Sequence, residues 1–262
     1  MGIKNNKIVA FCNNSKPLVC LTAYTSFMAE IIDEYCDLML VGDSLGMVIY
    51  GENTTANVSL EIMINHGKAV KRVTKKSLLV VDMPKGTYES SSNFALKNAK
   101  RIIKETKCDA VKLEGGSSVR HIINKLVSNN IPVMAHIGLL PQHVKKPQEY
   151  KVKGRTEEEE KIIIDDLVAV QEAGAFSVVI EAVTETLANK LCKLSKIKTI
   201  GIGASKNCDG QILVTEDMLG FFNKNAKFVK KYNNFRTKII KSVKEYKADI
   251  INRKFPTKKN LY

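Results

Sequence analysis

Short apolar runs recur along the chain and alternate with longer stretches in which apolar residues are spaced three or four positions apart. Eight runs have the length and aliphatic content of strands buried on both faces of a parallel sheet. They are Leu18–Thr22, Leu38–Val41, Leu78–Val81, Ala110–Leu113, Pro132–Ala135, Ser177–Ile180, Thr199–Ile202 and Gln211–Val214. The spacing of apolar residues between the runs predicts amphipathic helices that cover such a sheet.

Several of the intervening stretches carry signals for the start or the end of a helix. Glu157–Ala173 opens with four acidic residues, which stabilise the amino terminus of a helix, and the following Gly174 suits a helix end. Thr184 is placed to cap the next helix, and Ser117 or Ser118 is placed to cap an earlier one. These signals predict helices between successive strands.

The alternation of strands and helices predicts an α/β fold, and eight repeats within 262 residues favour a (β/α)8 TIM barrel. A doubly wound open sheet has the same alternation and stays open as an alternative. We find no internal repeat or linker before about residue 220, so we expect one domain over residues 1–262, with a helical extension at about 221–262. Within it, Phe235–Asn252 has helical apolar spacing with lysines between. We expect this helix to pack on its own barrel or on a neighbouring subunit rather than on a membrane surface.

The net charge of +14 is concentrated in the C-terminal segment. Residues 221–262 contain 13 Lys or Arg and two acids, whereas the first 220 residues contain 28 and 25. A run of charge alone is more often a solvated face than a nucleic-acid site, and we see no aromatic-rich basic groove, so we expect no nucleic-acid partner. No apolar stretch reaches the roughly 20 residues of a membrane helix. The first residues lack a signal-peptide core and the six cysteines lack disulfide or zinc spacing, so we expect a cytoplasmic protein with reduced thiols.

Three acidic residues stand where predicted strands end. Asp43 follows the second run after Gly42, Asp82 directly follows the third, and Glu114 directly follows the fourth. The carboxyl edge of a parallel sheet is where α/β folds place their chemistry. Carboxylates that converge there need a cation to neutralise them, and an all-oxygen set suits a hard divalent ion, most simply magnesium. The pattern therefore predicts a metal site formed by these three acids.

Further reactive side chains occupy neighbouring strand ends. Lys112 falls on the same strand face as Glu114 and could meet a substrate carboxylate, while His136 lies at the end of the fifth run. Glu181 follows the sixth run and is a candidate general base. A 2-oxo acid held by a divalent cation through its keto and carboxylate oxygens would have an acidified neighbouring C–H group. We therefore expect proton abstraction from a 2-oxo acid.

With these residues in place, the chain closely resembles the 3-methyl-2-oxobutanoate hydroxymethyltransferase (ketopantoate hydroxymethyltransferase) family. The resemblance extends from about Leu21 to Phe255. Its most specific segments are Leu40–Met47, Val111–Gly116, Tyr150–Arg155, Gly201–Ala204 and Asp209–Val214. Each segment is short, but their order and spacing are characteristic.

The resemblance implies a (β/α)8 barrel that uses magnesium and transfers a one-carbon unit from 5,10-methylenetetrahydrofolate to 3-methyl-2-oxobutanoate, giving 2-dehydropantoate for pantothenate biosynthesis. Carried over by motif, the implied metal ligands are Asp43, Asp82 and Glu114. The implied substrate contacts are Asp43, Ser44, Asp82, Lys112 and His136. Glu181 resembles the proton acceptor of the family. Members are homo-oligomers, often decamers, which an amphipathic C-terminal helix would suit.

Two other functions remain open from the sequence. A magnesium-dependent carbon–carbon lyase of the phosphoenolpyruvate mutase and isocitrate lyase type would use similar carboxylates on a 2-oxo acid without folate. Such lyases often use a catalytic cysteine loop, and no cysteine here follows a strand in a suitable motif. A non-enzymatic protein that binds a polyanion through its basic tail is less favoured, because it has no use for clustered acids.

Overall fold

Eight parallel strands form a closed barrel in which each strand pairs with the next and the last pairs with the first. A computed structural model describes residues 5–144, 149–223 and 225–262, so the opening residues 1–4, used above in the search for a signal peptide, lie outside the described range. The strands are β1 (Leu18–Thr22), β2 (Leu38–Val41), β3 (Leu78–Asp82), β4 (Ala110–Glu114), β5 (Val133–Gly138), β6 (Ser177–Glu181), β7 (Lys198–Ile202) and β8 (Gly210–Leu213). Closure of the sheet confirms the TIM barrel and excludes the open-sheet alternative.

The observed strands agree with the predicted runs to within three residues at each end. Every residue of β2, β3 and β4 is buried, as expected for strands covered on both faces. Three of the singled-out acids, Asp82, Glu114 and Glu181, are the last residues of their strands. Asp43 lies two residues beyond β2. The polar positions at the ends of the apolar runs are therefore part of the barrel's carboxyl end.

Helices follow most of the strands. They are α1 (Asn6–Asn13), α2 (Ser26–Ile32), α3 (Leu45–Val48), α4 (Leu60–Lys71), α5 (Ser92–Thr106), α6 (Arg120–Ser128), α7 (Glu157–Glu172), α8 (Glu185–Leu194), α9 (Thr215–Leu219) and α10 (Phe235–Ile251). Short 3-10 helices occur at Ser117–Val119, Pro141–His143 and Lys258–Asn260. None of the helices in the described ranges is both long enough and apolar enough to cross a lipid bilayer.

Two of the predicted helix signals are confirmed and one is wrong. Thr184 accepts a hydrogen bond from the backbone of Leu187 at the start of α8, and Gly174 after α7 has a positive φ of 93°. The expected cap by Ser117 or Ser118 is absent, because these residues form a 3-10 turn and α6 starts after Val119 without a side-chain cap. Instead, the Asp166 carboxylate accepts a hydrogen bond from the Ser117 backbone N–H at 2.7 Å.

The alternation of strand and helix fails between β7 and β8, where residues 203–209 contain no helix. Side-chain hydrogen bonds organise this short connection instead. Asn189 on α8 accepts hydrogen bonds from Ser205 Oγ at 2.6 Å and Asn207 Nδ2 at 2.8 Å. The Asp209 carboxylate accepts a 2.8 Å hydrogen bond from the backbone N–H of Thr199. A loop fixed to neighbouring elements can thus connect two parallel strands that usually need a longer crossover.

The amino end of the barrel is filled with apolar side chains. Ile8 and Phe11 of α1 belong to a buried cluster that also contains residues at the starts of several strands, such as Leu18, Leu38 and Leu78. The Phe11 ring packs edge-on against Phe176, with ring centroids 6.0 Å apart. An apolar plug at this end leaves the carboxyl end of the barrel for polar groups.

Internal packing divides the chain into two compact units, Met1–Val214 and Thr215–Tyr262. The first contains the barrel, and the second contains α9 and α10. The predicted single domain with an extension from about residue 221 stays a prediction. Helix α10 matches the predicted amphipathic stretch to within one residue, and it has no buried residue.

Candidate active site

The strand register brings the predicted side chains to one end of the barrel. Asp82 on β3 pairs with Lys112 on β4, and Glu114 on β4 pairs with His136 on β5. Glu181 ends β6 beside the last residue of β5. Since the carboxyl ends of all the strands in a parallel barrel face the same way, these groups share one cavity mouth. This is the location that the sequence predicted for them.

Asp43 and Asp82 are adjacent buried acids in the site. The Asp43 backbone N–H donates to Asp82 Oδ2 at 3.0 Å, and both residues are under 5% exposed. The ammonium of Lys112 lies 2.7 Å from Asp82 Oδ1 and is also buried. Lys112 thereby compensates part of the negative charge that two adjacent carboxylates would otherwise concentrate.

Burial and mutual repulsion alter the acidity of this cluster. Burial, followed by the nearby Asp82 charge, raises the pKa of Asp43 to about 7. The pKa of Glu114 is raised well above its usual value by burial and then by Asp43. For Lys112, burial opposes the charged form, but attraction to Asp82, Asp43 and Glu114 is stronger and raises its pKa. An added cation would therefore favour the ionised forms of these carboxylates.

His136 lies between two carboxylates of different exposure. Its Nε2 is 3.3 Å from Glu181 Oε2 and its Nδ1 is 3.6 Å from Glu114 Oε1. Neither ring nitrogen has a hydrogen-bond partner of ordinary geometry, although both are buried. The Glu181 side chain is 16% exposed, whereas that of Glu114 is almost fully buried. Glu181 is thus the carboxylate beside His136 that a molecule entering the site can reach.

Ser44 follows Asp43 and is only partly buried. Its hydroxyl lies 2.7 Å from the hydroxyl of Tyr24, a fully buried residue just after β1. The backbone carbonyl of Tyr24 is in turn 2.6 Å from Nδ1 of His66 on α4. The buried Tyr24 side chain thus provides a fixed hydrogen-bond partner for the Ser44 hydroxyl.

The structure brings the predicted site residues into one cluster. They are Asp43, Ser44, Asp82, Lys112, Glu114, His136 and Glu181. Sequence reasoning missed two further members, Gln142 and Tyr88, which hydrogen-bond to this cluster from loops after β5 and β3. The signal that could have found Gln142 is its position in a turn that directly follows a strand carrying a predicted site residue. No comparable signal marks Tyr88, because its contact depends on how the loop after Asp82 folds back.

Two ionisable side chains lie at the rim. Tyr150 lies in a segment that forms a bridge between Lys153 and Val183, just after β6, and its pKa is raised by burial and then by the charges of Glu181 and Glu114. His143 is half exposed, and its Nδ1 lies 3.9 Å from Glu114 Oε2. Burial, followed by the charge of Lys85, lowers the pKa of His143. The rim therefore offers aromatic and imidazole groups near the buried acids.

The donor set fits a hard divalent cation bound by few protein ligands. Asp82 Oδ1 is buried beside the Lys112 ammonium, which lies 2.7 Å away, and the adjacent Asp43 provides further carboxylate oxygen. Across the described ranges, no group of three or more His, Cys, Asp or Glu side chains is arranged to hold a metal by itself. Magnesium usually needs only one or two carboxylates, because water and substrate supply its remaining ligands. The ligand role of Glu114 stays a prediction.

Comparisons with solved structures show the fold. The structure of phosphonopyruvate hydrolase in complex with oxalate and Mg²⁺ covers 99% of this chain and 93% of its own, with a TM-score of 0.64 and 12% identity. Oxaloacetate acetylhydrolase covers 82% of this chain and 80% of its own, with a TM-score of 0.59 and 13% identity. At such low identity these similarities concern the barrel alone.

Comparisons of sequence are far closer. The 3-methyl-2-oxobutanoate hydroxymethyltransferase of Pelagibacter ubique is 49% identical over 260 residues, which are 98% of this chain and 100% of the relative. The enzyme of the same name from Bartonella henselae is 50% identical over 247 residues, which are 94% of this chain and 90% of the relative. The family model described as ketopantoate hydroxymethyltransferase matches residues 3–258. This chain therefore belongs to the ketopantoate hydroxymethyltransferase family.

Proposed function

We propose that the chain transfers a hydroxymethyl group from 5,10-methylenetetrahydrofolate to 3-methyl-2-oxobutanoate, forms 2-dehydropantoate, and uses magnesium. As a family member it is a hydroxymethyltransferase, and its relatives are named for the same oxo acid. The observation that carries the proposal is the pairing of a reachable acid, Glu181 beside His136, with a buried acid pair compensated by Lys112. A proton-abstracting base next to a cation-dependent oxo-acid site is what this reaction requires.

The residues that would hold magnesium are Asp43 and Asp82, with Glu114 as a further carboxylate. The adjacency of the first two, both buried, supports this assignment. When bound, the metal supplies Lewis-acid polarisation of the keto group, which acidifies the C–H group at C3.

The substrate carboxylate would be bound by the polar groups around the acid pair. Lys112 is a buried cation at this point, and the Ser44 hydroxyl is held nearby by Tyr24. His136, with both ring nitrogens unpaired, can hydrogen-bond an oxygen of the substrate once it enters. These contacts would place C3 of the oxo acid toward the partly exposed side of the site, where Glu181 lies.

Glu181 would take the proton from C3. The C3 carbon then forms its new bond to the one-carbon unit, tetrahydrofolate leaves, and water supplies the hydroxyl oxygen of the product. Lys112 stays paired with Asp82, and Asp43 stays hydrogen-bonded to Gln142, so these groups bind and orient the substrate rather than take its proton. The proton therefore moves at one residue that is close to the substrate and not engaged by Lys112.

Exchange of the C3 proton in deuterated water tests this role without requiring the folate. We expect wild type with magnesium to exchange the C3 proton of 3-methyl-2-oxobutanoate, as followed by NMR, and Glu181→Gln to slow exchange by about 10²–10⁴-fold. Glu158→Gln makes the same chemical change on an exposed acid of α7 and should exchange like wild type. If Glu181→Gln exchanges at the wild-type rate, Glu181 is not the base.

A further inference from the structure

Gln142 makes four hydrogen bonds at the base of the site from the 3-10 turn after β5. It is 1% exposed. Its side-chain Nε2 donates to Asp43 Oδ2 at 2.7 Å and to the Met83 carbonyl at 3.0 Å, and its Oε1 accepts from the Tyr88 hydroxyl at 2.7 Å. Its backbone N–H donates to Glu114 Oε2 at 3.0 Å. One residue thus contacts two of the three predicted metal-site acids.

The orientation of the Gln142 amide is fixed by its partners. The Met83 carbonyl can only accept a hydrogen bond, so the NH₂ group must face it, and the same group then donates to Asp43. The opposite side must be the amide oxygen, and there the Tyr88 hydroxyl supplies the donor. A flipped amide would set oxygen against oxygen twice in a buried place, which is costly. Tyr88 therefore holds the Gln142 side chain in a single orientation.

This arrangement selects one oxygen of each acid. The Gln142 amide engages Oδ2 of Asp43, which leaves Oδ1 as the oxygen that Gln142 does not contact. The Gln142 backbone engages Oε2 of Glu114, and Oε1 is the oxygen nearer His136. Each carboxylate is then presented in a defined rotation, with one oxygen directed away from the anchoring hydrogen bond.

We propose that Gln142, anchored by Tyr88, is a positioning residue that sets the rotation of the Asp43 and Glu114 carboxylates for a divalent cation. The inference rests on the proposed function, because it assumes that these acids serve a metal site. Partners that orient metal ligands typically change metal affinity by 10–100-fold when removed. A merely space-filling side chain of the same volume would not have that effect.

Calorimetric titration with MgCl₂ in the absence of substrate measures the positioning role directly. Gln142→Met keeps the volume but removes the amide, and we expect magnesium affinity to fall by about 10–100-fold. Tyr88→Phe removes the hydroxyl that holds the amide, and we expect a loss of about fivefold, equivalent to one neutral hydrogen bond. In the double variant the Tyr88 change should add almost nothing, since the other contact of its hydroxyl, at 3.2 Å, is with the Glu114 backbone carbonyl and not with a carboxylate oxygen.

Matched controls separate positioning from general damage. Gln171→Met makes the same change on the surface side of α7, where the amide accepts a hydrogen bond from Lys196, and Tyr35→Phe changes an exposed tyrosine. Both controls should bind magnesium like wild type. If Gln142→Met fails to fold by circular dichroism, Tyr88→Phe carries the test through its own affinity change.

The outcomes distinguish this inference from the proposed function. Wild type that binds no magnesium and forms no 2-dehydropantoate overturns the proposed function. Wild type that does both, with Gln142→Met and Tyr88→Phe unchanged in magnesium affinity, overturns the positioning role alone. Full additivity in the double variant also contradicts it, because the two residues would then act separately.

Discussion

Lys112 is a buried cation that offsets part of the electrostatic repulsion among the acids of the site. Its ammonium is buried 2.7 Å from Asp82, and its charge also acts on Asp43 and Glu114. A buried charge pair is weak support for stability when intact, but removal of one partner leaves an uncompensated charge. The free-energy cost of burying these acids should therefore appear as a loss of folding stability when Lys112 is replaced.

Replacement of Lys112 by Met should destabilise the fold by about 3–5 kcal/mol in urea denaturation at pH 7 without metal. Added MgCl₂ should recover part of the loss, because a bound cation neutralises the same acids. Lys190→Met removes an exposed lysine 3.9 Å from Glu160 and should cost under about 1 kcal/mol. A Lys112 variant as stable as wild type would mean that these acids are not ionised in the metal-free protein.

The ends of strands are the elements that position the chemistry. Gly138, at the end of β5, has φ of 93°, and a Cβ there would stand 2.4 Å from the backbone oxygen of Glu181. The close approach of β5 and β6 thus depends on the absence of a side chain. The position of Glu181 is set by a neighbouring strand as well as by its own.

Gly138→Ala should displace the end of β6 and reduce C3 proton exchange by about tenfold or more, because a misplaced base reacts far more slowly, while magnesium still binds near Asp43 and Asp82. The NMR exchange assay and magnesium titration measure the two effects separately. Gly51→Ala is the control, because Gly51 has a similar positive φ of 71° with no atom within 4 Å of a built Cβ. Equal exchange rates in the two variants would show that β5 does not constrain Glu181.

A second contact between elements is sensitive to pH. Asp33, after α2, accepts hydrogen bonds from the backbone N–H groups of Lys75, Lys76 and Ser77 before β3. Burial acts to raise the pKa of Asp33, but these N–H donors stabilise the carboxylate more, and its pKa is lowered. A carboxyl group whose pKa is lower in the folded than in the unfolded protein stabilises the fold at pH values above its unfolded-state pKa, near 4. This stabilisation is lost as the pH falls through the lower folded-state pKa.

Asp33→Asn should therefore lower the free energy of unfolding by about 1.5–3 kcal/mol at pH 7, as expected for hydrogen bonds to a charged group. The difference from wild type should narrow as the pH falls below about 4. Urea denaturation of both proteins across this range measures the difference. If the difference in free energy of unfolding between the two proteins stays constant with pH, the charge of Asp33 is not what stabilises this connection.

The strands and the acids at their ends could be predicted from the sequence because burial on both faces requires uninterrupted apolar runs. Asp82, Glu114 and Glu181 interrupt such runs at their ends, where the barrel opens. Gln142 and Tyr88 could not be predicted in this way, because their roles arise from contacts between loops far apart in sequence. The helix-free connection at residues 203–209 was missed for the same reason, since Asn189 and Thr199 organise it from outside.

At the scale of the whole molecule, the second unit carries apolar surface that faces solvent. On α10, Ile239, Val243 and Tyr246 are 46%, 60% and 58% exposed. Exposed apolar residues grouped on one helix are typical of an association surface, and the family resemblance implies homo-oligomers. We therefore predict that the chain associates with further copies of itself through α10.

Light scattering coupled to size exclusion should give a mass that is a multiple of the 29.2 kDa chain. Val243→Glu places a charge in the apolar surface and should shift the protein toward smaller species. Lys244→Glu changes an adjacent exposed position by a larger charge step and should leave the mass unchanged. A wild-type mass of one chain, or equal masses for both variants, contradicts the role of α10.

Product formation tests the account most directly. Purified chain is incubated with 3-methyl-2-oxobutanoate, 5,10-methylenetetrahydrofolate and MgCl₂, and 2-dehydropantoate is measured by mass spectrometry. We predict product with wild type, almost none with Glu181→Gln, and none after chelation of the metal. Folded wild-type protein that leaves the oxo acid unchanged, or cleaves a 2-oxo acid without consuming the folate, would contradict the account.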